Sequence, residues 1–288
     1  MSFKNSFTYD YEQYLIKNKK FKPITLHQYT NAVEMLFEHL KFKYKTSIVD
    51  PVNVKPSDIK GFLDEKLDKG ISANTVNKYL STLRTFFHYM WENNKVGIDP
   101  VVKIKYYKVE SVGTKEFTFS TLLDISPKIL KDSQYPLILK CIFILAMKGC
   151  RFSEYHFKKD DVIEYGEEVI INTKRRSIRL KGQEANIFMS FYINSQFDPG
   201  EYVFTTKRHN TGEFAPIEYD SLYLYIGYIR DDFKLPKSFK LDNIRMSYVY
   251  YNKKVNNYSV EELASDLGIE QASAAALLKE SIERFESE

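Results

Sequence analysis

Residues 70–89 read GISANTVNKYLSTLRTFFHY, and this stretch decides how the first third of the chain folds. Its apolar residues recur at intervals of three and four, which is the spacing of one buried face of an α-helix. Either Ser72 or Asn74 can cap the helix, and Gly97 closes it. The stretch therefore predicts a long amphipathic helix whose buried face comprises Val76, Tyr79, Leu80, Leu83, Phe86, Phe87 and Met90.

Three shorter helical segments precede this long helix. The first runs to about Lys17, the second opens at Thr25, and the third begins at Pro56 and ends at Gly70. Proline suits the first turn of a helix, and glycine suits the position just after its end. The sequence therefore predicts a helical domain over residues 1–105. A linker over residues 106–118 follows, rich in Lys and Tyr at its start and without a helical period.

Residues 119–288 change their hydrophobic period twice. Two runs rich in β-branched residues, 168–173 and 177–180, predict a hairpin around the turn Lys174-Arg175-Arg176, and residues 187–189 predict a third short strand. Ser259 and Glu262 have the spacing of a capping box. Helical periods cover residues 119–130, 135–148, 219–233, 241–253 and 260 to the end. We therefore expect a mainly α fold with a small β-sheet (α+β).

Composition and charge narrow the class of protein. The net charge is only +4, but residues 1–110 hold 18 Lys and Arg against 12 Asp and Glu, whereas residues 259–288 hold 2 against 8. A basic N-terminal part indicates a surface that binds a polyanion, although a solvated surface has the same composition.

Because no apolar run is long enough to span a bilayer and no signal peptide is evident, we expect a cytoplasmic protein. Cys141 and Cys150 are expected to be free thiols in the core.

Several segments, taken in order, resemble the tyrosine recombinase (phage integrase) family. Residues 70–100 are similar to the helix of the family's core-binding (SAM-like) domain that lies against DNA. The segment LAMKGCRFSE is similar to the one that holds the first active-site arginine, here Arg151, and the basic hairpin to the one that carries the active-site lysine, here Lys174. Residues 241–248 resemble the His-x-x-Arg segment, with Arg245 as its arginine. The resemblance covers nearly the whole chain and implies a catalytic-like domain over residues 119–288.

The departures from the family concern its chemistry. A tyrosine nucleophile and proton-transferring histidines are needed for strand cleavage. Asp242 stands at the histidine of His-x-x-Arg, Ile269 at the histidine of the Leu-Gly-His segment, and the expected tyrosine position falls within residues 275–279, which read AALLK. No tyrosine follows Tyr258. The resemblance thus implies a catalytically degenerate member with no catalytic residues. A displaced tyrosine among residues 248–258 remains an alternative. The positions of Tyr248 and Tyr251, on the same helix as Arg245, indicate core packing for these two residues.

The remaining polar residues predict a DNA interface. Phosphate contacts come from Lys and Arg, and base contacts from Asn, Arg and hydroxyl side chains on helices in the major groove. An exposed polar face and a solvated hairpin are the alternatives. In the first domain the predicted DNA-binding residues are Thr75, Asn77, Lys78, Ser81 and Arg84. In the second domain they are Arg151, Lys174, Arg175, Arg176, Arg179, Lys207, Arg208 and Arg245.

These features favour a sequence-specific regulator that binds operator-like sites in double-stranded DNA, built on an inactivated integrase and similar to the master repressor of SPbeta-type prophages. The alternatives are an active or partner-assisted recombinase, an accessory factor of a recombination complex, and a helical protein-interaction module. We expect association with the nucleoid of a bacterial host, a homo-oligomer formed through the C-terminal segment, and a regulatory protein or peptide partner. The acidic C-terminal segment packs either onto its own domain or onto a neighbouring subunit. With no metal cluster, Walker loop or dinucleotide fingerprint, we expect no cofactor and no membrane contact.

Overall fold

The computed structural model describes residues 6–108, 117–208 and 211–286. The chain divides into two compact units, Met1–Val112 and Gly113–Glu288. Each unit has its own cluster of buried apolar side chains, so each is described separately. Among the described residues, no helix is both long enough and apolar enough to cross a membrane.

The first unit consists of four helices around an aromatic core. They are α1 (Ser6–Lys19), α2 (Pro23–Tyr44), α3 (Pro56–Asp68) and α4 (Ala73–Glu92). Ser72 caps α4 by accepting a hydrogen bond from the Thr75 N–H, which decides between the two predicted caps. The α2 helix begins two residues before the predicted Thr25, because Pro23 occupies its first turn. Phe86 on α4 is fully buried and lies against Phe37 and Tyr11.

The chain after α4 returns along the first unit. Residues 104–107, which we call the strap, have no regular secondary structure and lie against the polar face of α4. The Tyr107 hydroxyl donates to Asp64 Oδ1 of α3 at 2.6 Å. Of the predicted linker, residues 106–107 are thus fixed to the first unit, and residues 109–116 lie outside the described residues.

The second unit is mainly helical. Its helices are α5 (Phe119–Lys131), α6 (Leu137–Met147), α7 (Gly182–Ser195), α8 (Tyr219–Asp232), α9 (Leu241–Lys254), α10 (Val260–Leu267) and α11 (Gln271–Phe285). The α6 helix is central, because nine of its eleven residues are buried. Cys141 and Cys150 are free and buried in and just after it, as expected.

A small antiparallel sheet covers one side of this core. Its strands β1 (Val162–Tyr165), β2 (Glu168–Asn172) and β3 (Ser177–Lys181) lie in that order, with Val169 opposite Leu180 and Ile171 opposite Ile178. These four side chains are buried on one face, and the predicted hairpin is confirmed. Two further strands, β4 (Thr205–Lys207) and β5 (Phe214–Pro216), form a separate pair.

The predicted third strand at residues 187–189 is wrong. These residues lie inside α7, which buries Ala185 and Phe188 at a spacing of three. A run of three apolar residues fits a helix as well as a strand, so its period could not distinguish them. The hairpin pairs instead with β1, a short and largely exposed edge strand that the sequence did not reveal.

The last two helices fold back onto their own unit. The capping box of Ser259 and Glu262 begins α10, and Gly268, with φ of 59°, ends it. The Arg284 Nη1 of α11 donates to Asn243 Oδ1 of α9 at 3.0 Å, and Phe285 lies against Tyr250. Of the two arrangements that the sequence left open, the structure shows packing onto the same domain.

Candidate functional site

Three arginines surround one buried carboxylate in the second unit. Glu154, 3% exposed, lies in a short 3-10 turn just after α6. Its Oε1 accepts from Arg176 Nε at 2.7 Å, and its Oε2 accepts from the Arg151 N–H at 3.0 Å and lies 3.4 Å from Arg245 Nη1. We call Arg151, Arg176 and Arg245 with Glu154 the arginine cluster. Because one carboxylate faces three guanidinium groups, the cluster carries surplus positive charge.

The guanidinium group of Arg176 is hydrogen-bonded within the protein. Besides its bond to Glu154, its Nη1 donates to the Asp266 carbonyl at 2.6 Å and its Nη2 to the Lys148 carbonyl at 2.9 Å. Its side chain is 7% exposed. The predicted DNA contact of Arg176 is therefore not supported, since its donors are occupied by fixed acceptors. Its role is to fasten the β2–β3 hairpin to the end of α6 and to α10.

The fastened hairpin presents two cations to solvent. Lys174 and Arg175 are exposed at its tip, next to the buried Arg176 side chain. The hydroxyl of Thr173 donates to the Arg176 carbonyl at 2.9 Å and accepts from the Arg176 N–H, which closes the turn. On the other side, Gly268 lies against the Arg175 carbonyl so closely that a Cβ there would be 2.6 Å from its oxygen. The two exposed cations thus extend from a backbone that is fixed on both sides.

Arg245 and Arg151 differ in how well they are paired. Arg245 is 6% exposed and donates through Nη1 to the Gly149 carbonyl, while its Nη2 has no hydrogen-bond partner among the described residues. Burial, helped by repulsion from Arg151, lowers the pKa of Arg245 to about 10. The Arg151 Nε is 3.9 Å from Glu154 Oε2, and its side chain is 31% exposed. The buried Arg245 therefore contributes positive charge from the protein interior, and the partly exposed Arg151 is the arginine of this pair that a ligand can reach.

The positions that depart from the family pattern lie beside this pair. Asp242, in the first turn of α9, and Ile269, just after α10, line the same pocket as Arg151 and Arg245. The α11 helix contributes Ser273, Leu277 and Glu280 to that pocket.

The tyrosines that remained as displaced nucleophiles are engaged elsewhere. The Tyr248 hydroxyl donates to Asp266 Oδ2 at 2.8 Å, and burial together with that carboxylate raises its pKa. Tyr248 and Tyr251 both lie against Phe119, as expected for core packing. Tyr250 packs on Phe285 of α11, and Tyr258 packs beside the cluster formed by α10 and α11.

The other predicted cations of the second unit are exposed. Arg179 on β3 lies 3.1 Å from Glu168, an exposed pair of little energetic weight. Lys207 at the end of β4 lies over the ring of Phe214, and Arg208 is 4.0 Å from Glu218. All three charges remain open to solvent, and their DNA contacts stay predictions.

The polar face of α4 is partly covered by the strap. The Asn77 amide donates to the Tyr107 carbonyl and accepts from the Tyr107 N–H, each at 2.9 Å. Ser81 Oγ lies 2.9 Å from the Tyr106 hydroxyl. The Arg84 guanidinium lies 4.3 Å from the centre of the Tyr106 ring and donates to the Ile104 carbonyl. Three of the five predicted residues are thus engaged with the strap, which the sequence could not reveal because the partners, backbone groups and the Tyr106 side chain, lie 20 to 30 residues away in the sequence.

Thr75 and Lys78 remain on the open side of α4. They line a groove together with Gln28 and Asn31 of α2 and with Asn74, and the strap-bound Asn77, Ser81 and Tyr106 line it too. The two α2 residues were missed by the sequence reading, since nothing in the period of α2 indicates that its polar face lies opposite that of α4. The groove offers amide, hydroxyl and ammonium groups, which are the groups that read base edges.

The comparisons with known proteins agree with this architecture. Residues 9–93 match the family model described as the phage integrase N-terminal SAM-like domain. The tyrosine recombinase XerC of Thermodesulfovibrio yellowstonii is 35% identical over 94 residues, which are 33% of this chain and 29% of that protein. The tyrosine recombinase XerD of Listeria monocytogenes is 28% identical over 164 residues, 55% of this chain and 53% of that protein. The matched part spans about half or less of these relatives, and the matches support the tyrosine recombinase family.

Solved structures support the fold over nearly the full chain. A lambda integrase bound to DNA aligns with a TM-score of 0.67 at 16% identity, covering 98% of both chains. A XerH site-specific recombinase bound to a palindromic difH substrate aligns with a TM-score of 0.66 at 16% identity, covering 97% of this chain and 84% of that one. The predicted fold class, mainly α with a small β-sheet, is confirmed.

Proposed function

We propose that the protein is a sequence-specific, double-stranded DNA-binding transcriptional regulator that does not cleave or exchange strands. Its scaffold is that of a tyrosine recombinase, and we infer that it acts as a phage or prophage repressor. The observation that carries the proposal is the hairpin tip, where Lys174 and Arg175 are exposed on a backbone fixed by Arg176. Cations on a rigid backbone bind phosphates at a smaller entropic cost than cations on a mobile loop.

The proposal of DNA binding also draws on the relatives and on the α4 groove. Lambda integrase and XerH are structural neighbours that were solved with DNA. In the groove, Lys78 is exposed and lies beside Asn74 and Asn31, a set suited to contacts with phosphates and adenine edges. Asn77, Ser81 and Arg84 would then support this surface through the strap.

The proposal that cleavage is lost draws on the side chains around Arg151 and Arg245. Transfer of a backbone phosphate to the protein needs a hydroxyl nucleophile and proton donors near the charge-stabilising arginines. Asp242 and Ile269, at the two histidine positions, and Leu277, within the expected tyrosine segment, line this pocket; no histidine or tyrosine is among the described residues that line it, and its hydroxyl belongs to Ser273. Tyr248, the tyrosine nearest to Arg245 in the sequence, donates its hydroxyl proton to Asp266.

The first experiment combines genome-wide mapping with a trapping assay. The protein's sites are mapped in its host, and the purified protein is then incubated with a nicked suicide substrate that carries a recovered site. We expect occupancy at promoters and no covalent adduct. An adduct would establish an active or partner-assisted recombinase instead. Occupancy confined to recombination junctions, with no adduct, would establish an accessory factor of a recombination complex.

A second experiment measures affinity against salt concentration. Replacing Lys174 or Arg175 with Ala is expected to reduce the slope of log K against log salt by about one for each residue. Lys279→Ala is the matched control, since Lys279 is an exposed cation on the acidic helix α11 and should leave the slope unchanged. Equal effects of all three changes would mean that general charge, and not the hairpin tip, determines binding.

A further inference from the structure

A pocket of about 410 Å³ opens beside the arginine cluster, and neither the hairpin tip nor the α4 groove, which carry the proposed DNA binding, lines it. It lies within the second unit, between α9 and the beginning of α11. Its volume falls in the range of small-molecule sites, roughly 300–1,000 Å³. Its lining combines charged, apolar and hydroxyl side chains: Arg151, Asp242, Arg245, Met246, Ile269, Ser273, Leu277 and Glu280.

The cationic side of the pocket can hold one carboxylate. The Arg151 guanidinium is only loosely paired, at 3.9 Å from Glu154, because the oxygens of Glu154 are nearer to Arg176 Nε and the Arg151 N–H. Arg245 contributes a second positive charge from beneath, with a buried Nη2 that has no partner within the described part of the chain. A planar carboxylate can make a bidentate pair with a guanidinium group of this kind.

The anionic side of the pocket sets the overall charge of its ligand. Asp242 and Glu280 are both exposed and line the pocket, so its two guanidinium groups face two carboxylates. A phosphate dianion would be attracted by the arginines but repelled by both carboxylates. A ligand that carries one carboxylate and one ammonium group meets all four charges with the favourable sign. The apolar side chains of Met246, Ile269 and Leu277 then face the rest of the ligand.

We propose that this pocket binds a free α-amino acid with an apolar side chain. Its carboxylate pairs with Arg151, its ammonium group lies near Asp242 and Glu280, and its side chain contacts Ile269 and Leu277. Because the pocket is lined by both α9 and α11, the ligand fastens the C-terminal helix to its own unit. Arg151 and Arg245 are also predicted DNA contacts, but the inference concerns the protein free of DNA, so it holds or fails independently of the proposed DNA binding.

The test uses the full-length protein without DNA. Thermal unfolding is followed with leucine, isoleucine, valine, methionine and phenylalanine, each at 10 mM, with their amides, their des-amino acids and inorganic phosphate as comparison ligands. We expect at least one amino acid to raise the Tm by about 2 °C or more, as mass action requires of a ligand above its Kd. Its amide and its des-amino acid should have less than half that effect, because each lacks one of the two charges.

Variants separate this site from binding elsewhere. Glu280→Gln and Arg151→Gln are expected to abolish the rise in Tm with the active amino acid, whereas Glu261→Gln, an exposed acid on α10, should keep it. Isothermal titration of the same variants should show a loss of affinity of tenfold or more for the first two. The proposal is overturned if none of the amino acids raises the Tm, if phosphate raises it as much as they do, or if Glu280→Gln leaves the response unchanged.

Discussion

Within the described residues each unit buries one carboxylate, and the charges around the two carboxylates are balanced differently. In the first unit Asp58, 1% exposed, accepts from Lys43 Nζ at 2.7 Å, from the Tyr44 hydroxyl at 2.5 Å and from the Lys55 N–H at 3.0 Å. One negative charge meets one positive charge there. In the second unit Glu154 is surrounded by three arginines, so that the positive charge exceeds the negative.

The difference separates a structural ion pair from a site that can receive a ligand. Around Asp58 every close partner belongs to α2 or to the start of α3, and the pair joins those two helices. Around Glu154 the partners come from three distant parts of the chain, at Arg151, Arg176 and Arg245, and the surplus charge attracts an anionic group. A buried carboxylate that is outnumbered by cations therefore indicates a site more strongly than a buried carboxylate alone.

The largest effect is expected from Glu154→Gln. The change leaves buried guanidinium groups without their carboxylate, and loss of one partner from a buried ion pair costs about 3–5 kcal/mol. Urea unfolding should show this as a lower midpoint for the second unit. Glu201→Gln is the matched control, because Glu201 forms an exposed pair with Lys158 that is expected to contribute less than about 1 kcal/mol. A loss below about 1 kcal/mol for Glu154→Gln would mean that the arginines do not depend on this carboxylate.

The next largest effect is expected from Gly268→Ala, which tests how the hairpin tip is held. A Cβ at Gly268 would lie 2.6 Å from the Arg175 carbonyl oxygen, and its φ of 59° disfavours any residue with a Cβ. We expect a loss of about 2–3 kcal/mol in the free energy of unfolding. Gly61→Ala is the control: nothing lies within 4 Å of its Cβ position inside α3, so that variant should gain about 0.5–1 kcal/mol. Equal stabilities of the two variants would contradict the close contact.

The sequence predicted the helices of both units, except α7, and the β2–β3 hairpin, because their hydrophobic periods are strong and their caps are local. Strand β1 and the pair β4–β5 were not predicted, because three or four residues are too few to show a periodic pattern. Within the site, Arg151 and Arg245 were chosen through the resemblance to the family, and the fold brings both of them beside Glu154. The sequence could not show that Arg176 is buried while Arg175 is exposed, because that depends on the carbonyls of Lys148 and Asp266, which are far away in sequence.

A smaller, pH-dependent effect is expected from Asp58→Asn. Burial alone would raise the pKa of Asp58, but hydrogen bonds from Lys43, Tyr44 and Lys55 outweigh it, and the pKa is lowered. A lowered pKa means that the stabilisation is present above the unfolded value of about 3.9 and is lost as the pH falls through the folded value. Asp58→Asn should cost about 1–2 kcal/mol at pH 7. Its unfolding free energy should fall less steeply than that of the wild type below about pH 4. Parallel pH profiles would exclude Asp58 as the source of this dependence.

The smallest effect is expected from Asn77→Ala, and it distinguishes the half-buried Asn77, which is bound to the strap, from its exposed neighbour Lys78 in the same groove. Loss of the two hydrogen bonds to Tyr107 should cost about 1 kcal/mol in the free energy of unfolding of the first unit. The salt dependence of DNA binding should not change, because an amide neutralises no phosphate. Lys78→Ala should do the reverse, leaving stability within about 0.5 kcal/mol and reducing the salt slope by about one.

Replacing Asn77 and replacing Lys78 are thus expected to change stability and DNA affinity separately. If Asn77→Ala lowers affinity for a recovered site by tenfold or more without a loss of stability, the amide contacts a base and the strap is displaced when DNA binds. If both variants lower stability, the outward face of α4 supports the fold as well. If Asn77→Ala lowers only stability and Lys78→Ala lowers only the salt slope, the strap is structural and the groove beside Lys78 recognises DNA. The same distinction, between a contact that stabilises the fold and a site that receives a ligand, separates Asp58 from Glu154.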